Sequence, residues 1–212
     1  MNTSLGLKRG TVQLQEYNPE WKTIFETEKE VLLEKFPEIF LEISHGGSTA
    51  VPEMSAKPII DMFVAVKDLN DYKKVQTGLE ILGYTYRSPQ GVPGRELFVK
   101  GDEGCRTHHL QLTTKNHDQW KNHILLREYY ISHPEAMKEY TKLKKVLADK
   151  YEDDRGLYTK GKNEFIDSVL EKAKAEFDRA FELSGRKLLL FQLMYARYYA
   201  YQIQDRELFV ET

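Results

Sequence analysis

The most informative segment of this 212-residue chain reads HGGSTAVP at residues 45–52 and AKPIIDMFVAV at residues 56–66. Its paired glycines, serine and threonine favour a tight turn, and the apolar run at 59–66 is typical of a buried strand. Because side chains alternate along a strand, Asp61, the only charge in that run, faces away from its neighbour Ile60. The segment therefore predicts a strand with one acidic side chain next to a glycine-serine turn.

The flanking sequence alternates between strand and helix patterns. Predicted strands cover residues 11–15, 40–45, 59–66, 84–87, 96–100 and 107–113. Predicted helices begin at Pro19, at Asp68 or Asn70, at Asn116, at Pro134 and at Leu157, and a last amphipathic helix follows Gly185. Strands that precede a set of helices indicate a mixed α/β or α+β domain, with the C-terminal helices covering the sheet.

Composition narrows the class of protein. This length favours one domain, and a formal net charge of −2 lacks the basic excess that is typical of proteins binding duplex nucleic acid. The one cysteine, Cys105, excludes an intrachain disulfide and a multi-cysteine zinc site. Residues 1–11 lack the apolar core of a signal peptide, and the apolar stretch 188–200 is too short to span a bilayer. We expect a cytoplasmic protein without a membrane partner.

The predicted turn has the residue types that bind phosphate. Gly46 and Gly47 let backbone N–H groups approach phosphate oxygens, and the hydroxyls of Ser48 and Thr49 can donate to the same oxygens. Asp61 is then placed to hold the Mg²⁺ or Mn²⁺ that neutralises the phosphates. A plain turn explains the same residues without any ligand, because Gly-Gly-Ser turns are common.

Both segments resemble the GrpB family, whose members carry a GSTAVP loop and an AKPIID strand. Further positions are similar to that family in order and approximate spacing: Arg127, Tyr129, His133-Pro134-Glu135, Tyr140, Leu143-Lys144, Leu147-Ala148, Tyr158, Lys162 and Phe165-Ile166. The resemblance covers residues 11–177 as one domain and leaves 178–212 as a helical extension, which we expect to pack on the domain or on a partner in a homodimer. It implies a nucleotidyltransferase-like fold, whose members bind a nucleoside triphosphate and magnesium at a Gly-Ser loop followed by strand carboxylates.

Two positions depart from the implied pattern. Active nucleotidyltransferases generally carry two carboxylates two residues apart, and here Phe63 stands where the partner of Asp61 would be. One carboxylate does not supply the ligands that a pair of metal ions needs. The resembled family tends to have His-x-His on a neighbouring strand, where this chain has His109 and Gln111. We interpret both as phosphate or substrate contacts, with His109 also a candidate for catalysis beside Asp61; a histidine that only supports the strand is the alternative.

Basic side chains on several elements form a second candidate group. The group consists of four basic residues, Lys57, Arg95, Lys144 and Lys162, together with Tyr158. Tyr158 and Lys162 are four residues apart and share one helix face. Helices folded over the sheet would let the group clamp a triphosphate. Lysines on amphipathic helices are mostly solvated, which is the alternative for each of them.

These residues support three hypotheses about function. The first is transfer of a nucleoside monophosphate from a triphosphate to an unknown acceptor, with the turn holding the phosphates, Asp61 the magnesium, and the basic group the developing negative charge. The second is a non-catalytic module that binds a nucleotide or another phosphorylated metabolite, and Phe63 favours it. The third is a metal-dependent phosphohydrolase that uses Asp61 and His109.

Overall fold

A computed structural model of the chain describes residues 5–88 and 92–183. The strands in this part are β1 Glu42–Gly46, β2 Ile60–Val66, β3 Tyr84–Tyr86, β4 Glu96–Gly101 and β5 Arg106–Thr114. The α-helices are α1 Glu20–Lys35, α2 Tyr72–Ile81, α3 Asp118–Ser132, α4 Pro134–Lys150 and α5 Arg155–Leu183. The element order confirms the predicted α/β class, with strands first and three long helices after them.

The strands form one mixed sheet in the order β1-β2-β5-β4-β3. Neighbouring strands are antiparallel except for β2 and β5, which pair in parallel. This parallel pair sets Asp61 directly opposite His109, and Phe63 opposite Gln111. Residues that are distant in sequence therefore lie side by side on one face of the sheet.

Helices α1 and α2 cover the other face, which carries the main apolar core. Alternate residues of β2, including Ile60 and Met62, pack against Trp21 and Phe25 of α1 and Val75 of α2. Each fully buried side chain of this kind contributes about 1.5–3 kcal/mol to folding. The predicted helix start also holds, because the side-chain oxygen of Asn18 accepts a hydrogen bond of 2.9 Å from the Glu20 amide.

Helices α3, α4 and α5 lie on the face that carries Asp61. Trp120 of α3 packs against Phe63 and Ala65 of β2, and a separate apolar cluster joins the three helices to one another and to Val51 and Met54 after the turn. The predicted cover of C-terminal helices is confirmed. Between these helices and the end of β2, polar and charged side chains replace the apolar core.

Two differences from the sequence prediction concern the first predicted strand and the last described helix. The strand predicted at 11–15 is wrong: the Val12 amide donates to the Glu152 carbonyl while Gln15 bridges Ala56, so this segment is split between two partners. Helix α5 runs to Leu183, past the predicted end at Lys174. The helix predicted after Gly185 lies outside the described residues. Among the helices that are described, none combines the length and apolarity needed to cross a membrane.

Candidate functional site

The turn after β1 lies against Asp61. Gly46 pairs with Asp61 across the strands, and Gly47 adopts φ 66° and ψ −171°, a conformation that only glycine tolerates at little cost. A β-carbon added at Gly47 would collide with the Asp61 carboxylate. Gly47 itself is exposed, and the Asp61 side chain keeps 32% of its surface accessible. The predicted turn and acid therefore share one open corner of the sheet.

His45 and Thr49 brace the turn from the inside. His45 Nε2 lies 3.0 Å from Thr49 Oγ1, and its ring stacks on Phe25 with centroids 4.5 Å apart. Burial, helped by the charge of Arg127, lowers the pKa of His45 to about 3, so the ring is neutral near pH 7. Thr49, predicted as a phosphate contact, is buried with its hydroxyl engaged by this histidine.

Asp61 and His109 form a hydrogen-bonded pair across β2 and β5. His109 Nδ1 lies 3.0 Å from Asp61 Oδ1. Burial acts to raise the pKa of Asp61, but the hydrogen bond from His109 and the charges of His109 and Lys57 outweigh it and hold the pKa below the ordinary value for aspartate. The carboxylate is therefore ionised and orients the imidazole through one ring nitrogen.

Phe63 fills the position where a second metal-binding carboxylate would stand. Its ring stacks on His123 with centroids 3.9 Å apart and planes 3° apart. A β-carbon added at Gly46 would meet the same ring. Gly46, predicted as a phosphate contact, is therefore buried over an aromatic ring. With only 8% of Phe63 exposed, this part of the site is apolar.

Lys144 of α4 reaches the turn from the helical layer. Its Nζ donates to Ser48 Oγ at 3.0 Å and to the carbonyl of Ser55. The side chain is 2% exposed, and burial, together with the charges of Lys162 and Lys57, lowers its pKa to about 7. Ser48 and Lys144, both predicted site residues, are therefore in direct contact.

Lys57 and Lys162 lie around the ring of Tyr158. Their Nζ atoms are 5.2 Å and 4.4 Å from the ring centroid. Burial and the charges of neighbouring cations lower the pKa of Lys57 to about 7. Burial likewise lowers the pKa of Lys162 to about 8, against the opposing attraction of Asp61. Two ammonium groups thus share one aromatic ring beside a single carboxylate.

Arginines complete the basic group on the side of the sheet. Arg95 Nη1 donates to Gln111 Oε1 at 2.5 Å, which joins two predicted site residues. Asp61 attracts both Arg95 and Arg155, and burial lowers the pKa of each. Sequence reasoning missed Arg155. Its signal was the spacing on α5, because Arg155, Tyr158 and Lys162 are three and seven residues apart on one helix face.

The donors at this site do not fit a metal ion held by the protein alone. Among residues 5–88 and 92–183, no cluster of three or more histidine, cysteine, aspartate or glutamate side chains could hold a metal. Asp61 contributes one carboxylate, which His109 already engages, and Phe63 contributes none. The predicted Mg²⁺ or Mn²⁺ at Asp61 would need most of its ligands from a bound phosphate or from water.

A groove of about 460 Å³ lies elsewhere, along the outer side of α4. Its lining mixes acids such as Glu16 and Asp149 with bases such as Lys138 and Lys145. Glu16 and Lys145 pair with each other at 2.9 Å. Because its charges are already matched, the groove offers no comparable reason to bind an anion, and the basic group at the turn is the candidate site.

Comparison with known proteins identifies a family for most of the chain. The profile described as GrpB protein matches residues 11–172. A second profile, described as TRAP transporter T-component, matches residues 142–212, less than half of the chain.

Relatives and a solved structure agree with the first profile. The UPF0157 protein YqkA of Bacillus subtilis is 37% identical over 163 residues, which cover 77% of this chain but 47% of that protein, so the chain spans about half its length. The glutamate-rich protein GrpB of Alkalihalophilus pseudofirmus is 37% identical over 172 residues, with 79% of this chain and 99% of that protein covered. The crystal structure of the conserved protein GrpB from Enterococcus faecalis matches with a TM-score of 0.72 and 33% identity, and covers 78% of this chain and 99% of that one. This chain belongs to the GrpB family.

Proposed function

We propose that this chain binds a phosphorylated small molecule, with a nucleoside triphosphate as the first ligand to test, at the turn Gly47–Thr49. The observation that carries the proposal is the gathering of five basic side chains, four of them attracted by the Asp61 carboxylate and one bonded to Ser48 of the turn. These side chains are Lys57, Arg95, Lys144, Arg155 and Lys162. Such a group is short of negative charge, and a phosphate supplies it. A cytoplasmic location, where nucleotides are abundant, is part of the proposal.

The electrostatic argument starts from the unfavourable environment of the lysines. Lys57, Lys144 and Lys162 repel one another and are largely withdrawn from water, which lowers the pKa of each ammonium group. An anion placed among them removes the repulsion and restores charged hydrogen bonds in a site with a lower dielectric than water. Binding therefore stabilises an arrangement that is unfavourable in the free protein.

Different residues have different parts in the proposed site. Gly47 is exposed and leaves the backbone open to a phosphate oxygen. Lys144 holds the Ser48 hydroxyl as a hydrogen-bond acceptor, which leaves the hydroxyl proton for a ligand oxygen. Tyr158 presents its ring to the ammonium groups of Lys57 and Lys162. Thr49 and Gly46 shape the turn rather than contact the ligand.

A second candidate function is chemistry on the bound phosphate, and the pair of Asp61 and His109 favours it. Asp61 engages Nδ1 of His109 and so leaves Nε2 for proton exchange. In nucleotidyl transfer, an acceptor hydroxyl oxygen would bond to the α-phosphorus and pyrophosphate would leave, while His109 takes the hydroxyl proton. In hydrolysis, water would take the place of the acceptor.

Calorimetric titration with ATP tests the binding function. Lys162→Gln removes one charge from the site, and we expect it to weaken ATP binding about tenfold, or about 1.4 kcal/mol. Lys160→Gln is the matched control, because Lys160 is two residues away on α5 and exposed, so its affinity should equal that of the wild type. Equal affinities for both variants would contradict the proposed site.

Incubation with labelled ATP, Mg²⁺ and a panel of hydroxyl acceptors tests the second candidate. Release of pyrophosphate supports transfer, and release of orthophosphate supports hydrolysis. Either activity should fall about a hundredfold in His109→Gln, which keeps a similar size but cannot take the proton. Binding without release of either product would leave the binding function alone.

A further inference from the structure

We infer that the site takes the phosphate chain of its ligand without a metal ion, and that its ligand is a di- or triphosphate in the metal-free form. The inference rests on the proposed binding function and names the ligand class. In this view the basic side chains supply the positive charge that Mg²⁺ supplies elsewhere in phosphate chemistry.

The count of charges is the first step. Four of the five basic side chains are attracted by Asp61, and the fifth, Lys144, lies near Lys57 and Lys162. With all five protonated, as a bound anion favours, they exceed this one carboxylate by four positive charges. A metal-free pyrophosphate or triphosphate group carries roughly three to four negative charges near neutral pH, which balances this excess. A single phosphate group would leave about half of it unbalanced.

The reach of the basic side chains is the second step. They come from the segment after the turn, from the start of β4 and from helices α4 and α5, so several separate elements contribute them. Lys144 is fixed at Ser48, whereas Lys57 and Lys162 lie beyond it around Tyr158. An arrangement of this extent suits a chain of phosphates, because successive phosphates can meet successive cations.

The acidic side of the site is the third step, because it is poorly suited to a metal ion. One oxygen of Asp61 is engaged by His109, and the carboxylate lies directly under Gly47. Phe63 is stacked on His123 and in close contact with Gly46, so an aromatic ring stands where a second carboxylate ligand would be. A divalent cation would also be repelled by the same basic side chains that attract the phosphates.

The response to Mg²⁺ tests this inference. Pyrophosphate is titrated into the wild-type protein in EDTA, and then in excess MgCl₂ with NaCl added to the first sample to match ionic strength. Because bound Mg²⁺ cancels two of the ligand charges, we expect affinity about tenfold higher in EDTA than in Mg²⁺. The same titration with Asp61→Asn in EDTA should give equal or tighter binding, since the substitution removes the only negative charge in the group.

The outcomes separate the two proposals. Binding that requires Mg²⁺, or that is equal with and without it, overturns the metal-free inference and leaves the proposed function in place. Loss of pyrophosphate binding by a folded Asp61→Asn protein in EDTA also overturns it, because the inference treats this carboxylate only as a negative charge that opposes the ligand. If the wild-type protein binds pyrophosphate in neither buffer, the proposed binding function itself is wrong. The two wild-type titrations do not depend on whether the variant folds.

Discussion

Lysines on the two faces of the sheet lie in opposite electrostatic environments. On the face covered by α1, Lys100 Nζ lies 2.8 Å from both carboxylate oxygens of Glu28, and Tyr84 donates to the same carboxylate. On the face covered by α4 and α5, Lys144 donates to a hydroxyl and a carbonyl, faces the ring of Tyr140 and has two lysines as neighbours, with no carboxylate bonded to it among the described residues. The first arrangement carries its own counterion, and the second needs one from outside. The first contact therefore stabilises the fold, whereas the second belongs to the group that we propose for binding.

The largest expected effect concerns Glu28, on the face covered by α1. Glu28→Gln should lower the free energy of unfolding by about 2–3 kcal/mol, because it leaves the Lys100 ammonium half-buried without its counterion. The measurement is urea denaturation followed by circular dichroism. Glu30→Gln is the control, since Glu30 is exposed on the same helix, and it should change stability by less than about 0.5 kcal/mol. Similar losses for the two variants would contradict the assigned role of the Glu28 pair.

The next effect concerns the turn. Gly47→Ala should lower the free energy of unfolding by about 2 kcal/mol, because alanine at φ 66° is strained and its β-carbon meets Asp61. Gly10→Ala is a useful control, because Gly10 also has positive φ, at 91°, but has open space around it. The difference in denaturation midpoint between the two variants therefore reports the contact with Asp61. Equal losses would show that the turn does not press on the carboxylate.

The same lysine-to-methionine substitution on each face compares the two environments directly. Lys144→Met should weaken ATP binding about tenfold while changing the free energy of unfolding by less than about 1 kcal/mol, since relief of repulsion offsets the lost hydrogen bonds. Lys100→Met should do the reverse, with unchanged ATP affinity and a loss of about 2 kcal/mol of stability, because it strands Glu28. Calorimetry and denaturation of both variants check this. Loss of ATP affinity in Lys100→Met would contradict the assignment of Lys100 to stability and Lys144 to binding.

The smallest expected effect is a pH dependence. The pKa values of Lys57 and Lys144 are lowered to about 7, so both are mostly charged below that pH and mostly neutral above it. ATP affinity should therefore fall severalfold between about pH 7.5 and about pH 9, where ATP itself no longer titrates. The stability of the free protein should change in the opposite direction, because the unfolded chain keeps its lysine protons to higher pH. Titrations in buffers of different ionisation heat should show proton uptake on binding, and no uptake would contradict these pKa values.

Most of the fold could be predicted from the sequence because its signals are local. The alternation in β2 assigned Ile60 and Met62 to the core and Asp61 to the other face, and the structure agrees. Helix α2 ends at Ile81, two residues before Gly83, whose φ of 85° suits the residue that follows a helix. The strand predicted at 11–15 failed because its alternating pattern contains no information about the two separate partners that bind it.

The candidate site was predictable only in part, because long-range pairing decides which residues meet. Lys57, Lys144 and Lys162 were identified through the family resemblance, and the structure brings them together. The hydrogen bond between Asp61 and His109 depends on the parallel pairing of β2 with β5, and strand order is not encoded in local periodicity. Arg155 was missed because an arginine at a helix start is most often a solvated residue.

The parallel pairing of β2 with β5 determines when, during folding, the proposed phosphate site can form. Parallel strands cannot be joined by a hairpin, so residues 67–105 must be arranged before the two strands meet. Lys162 arrives later still, on the last helix of the described chain. A ribosome-bound nascent chain that lacks α5 can therefore contain most of the sheet and still lack part of the proposed site, which would form only after the sheet.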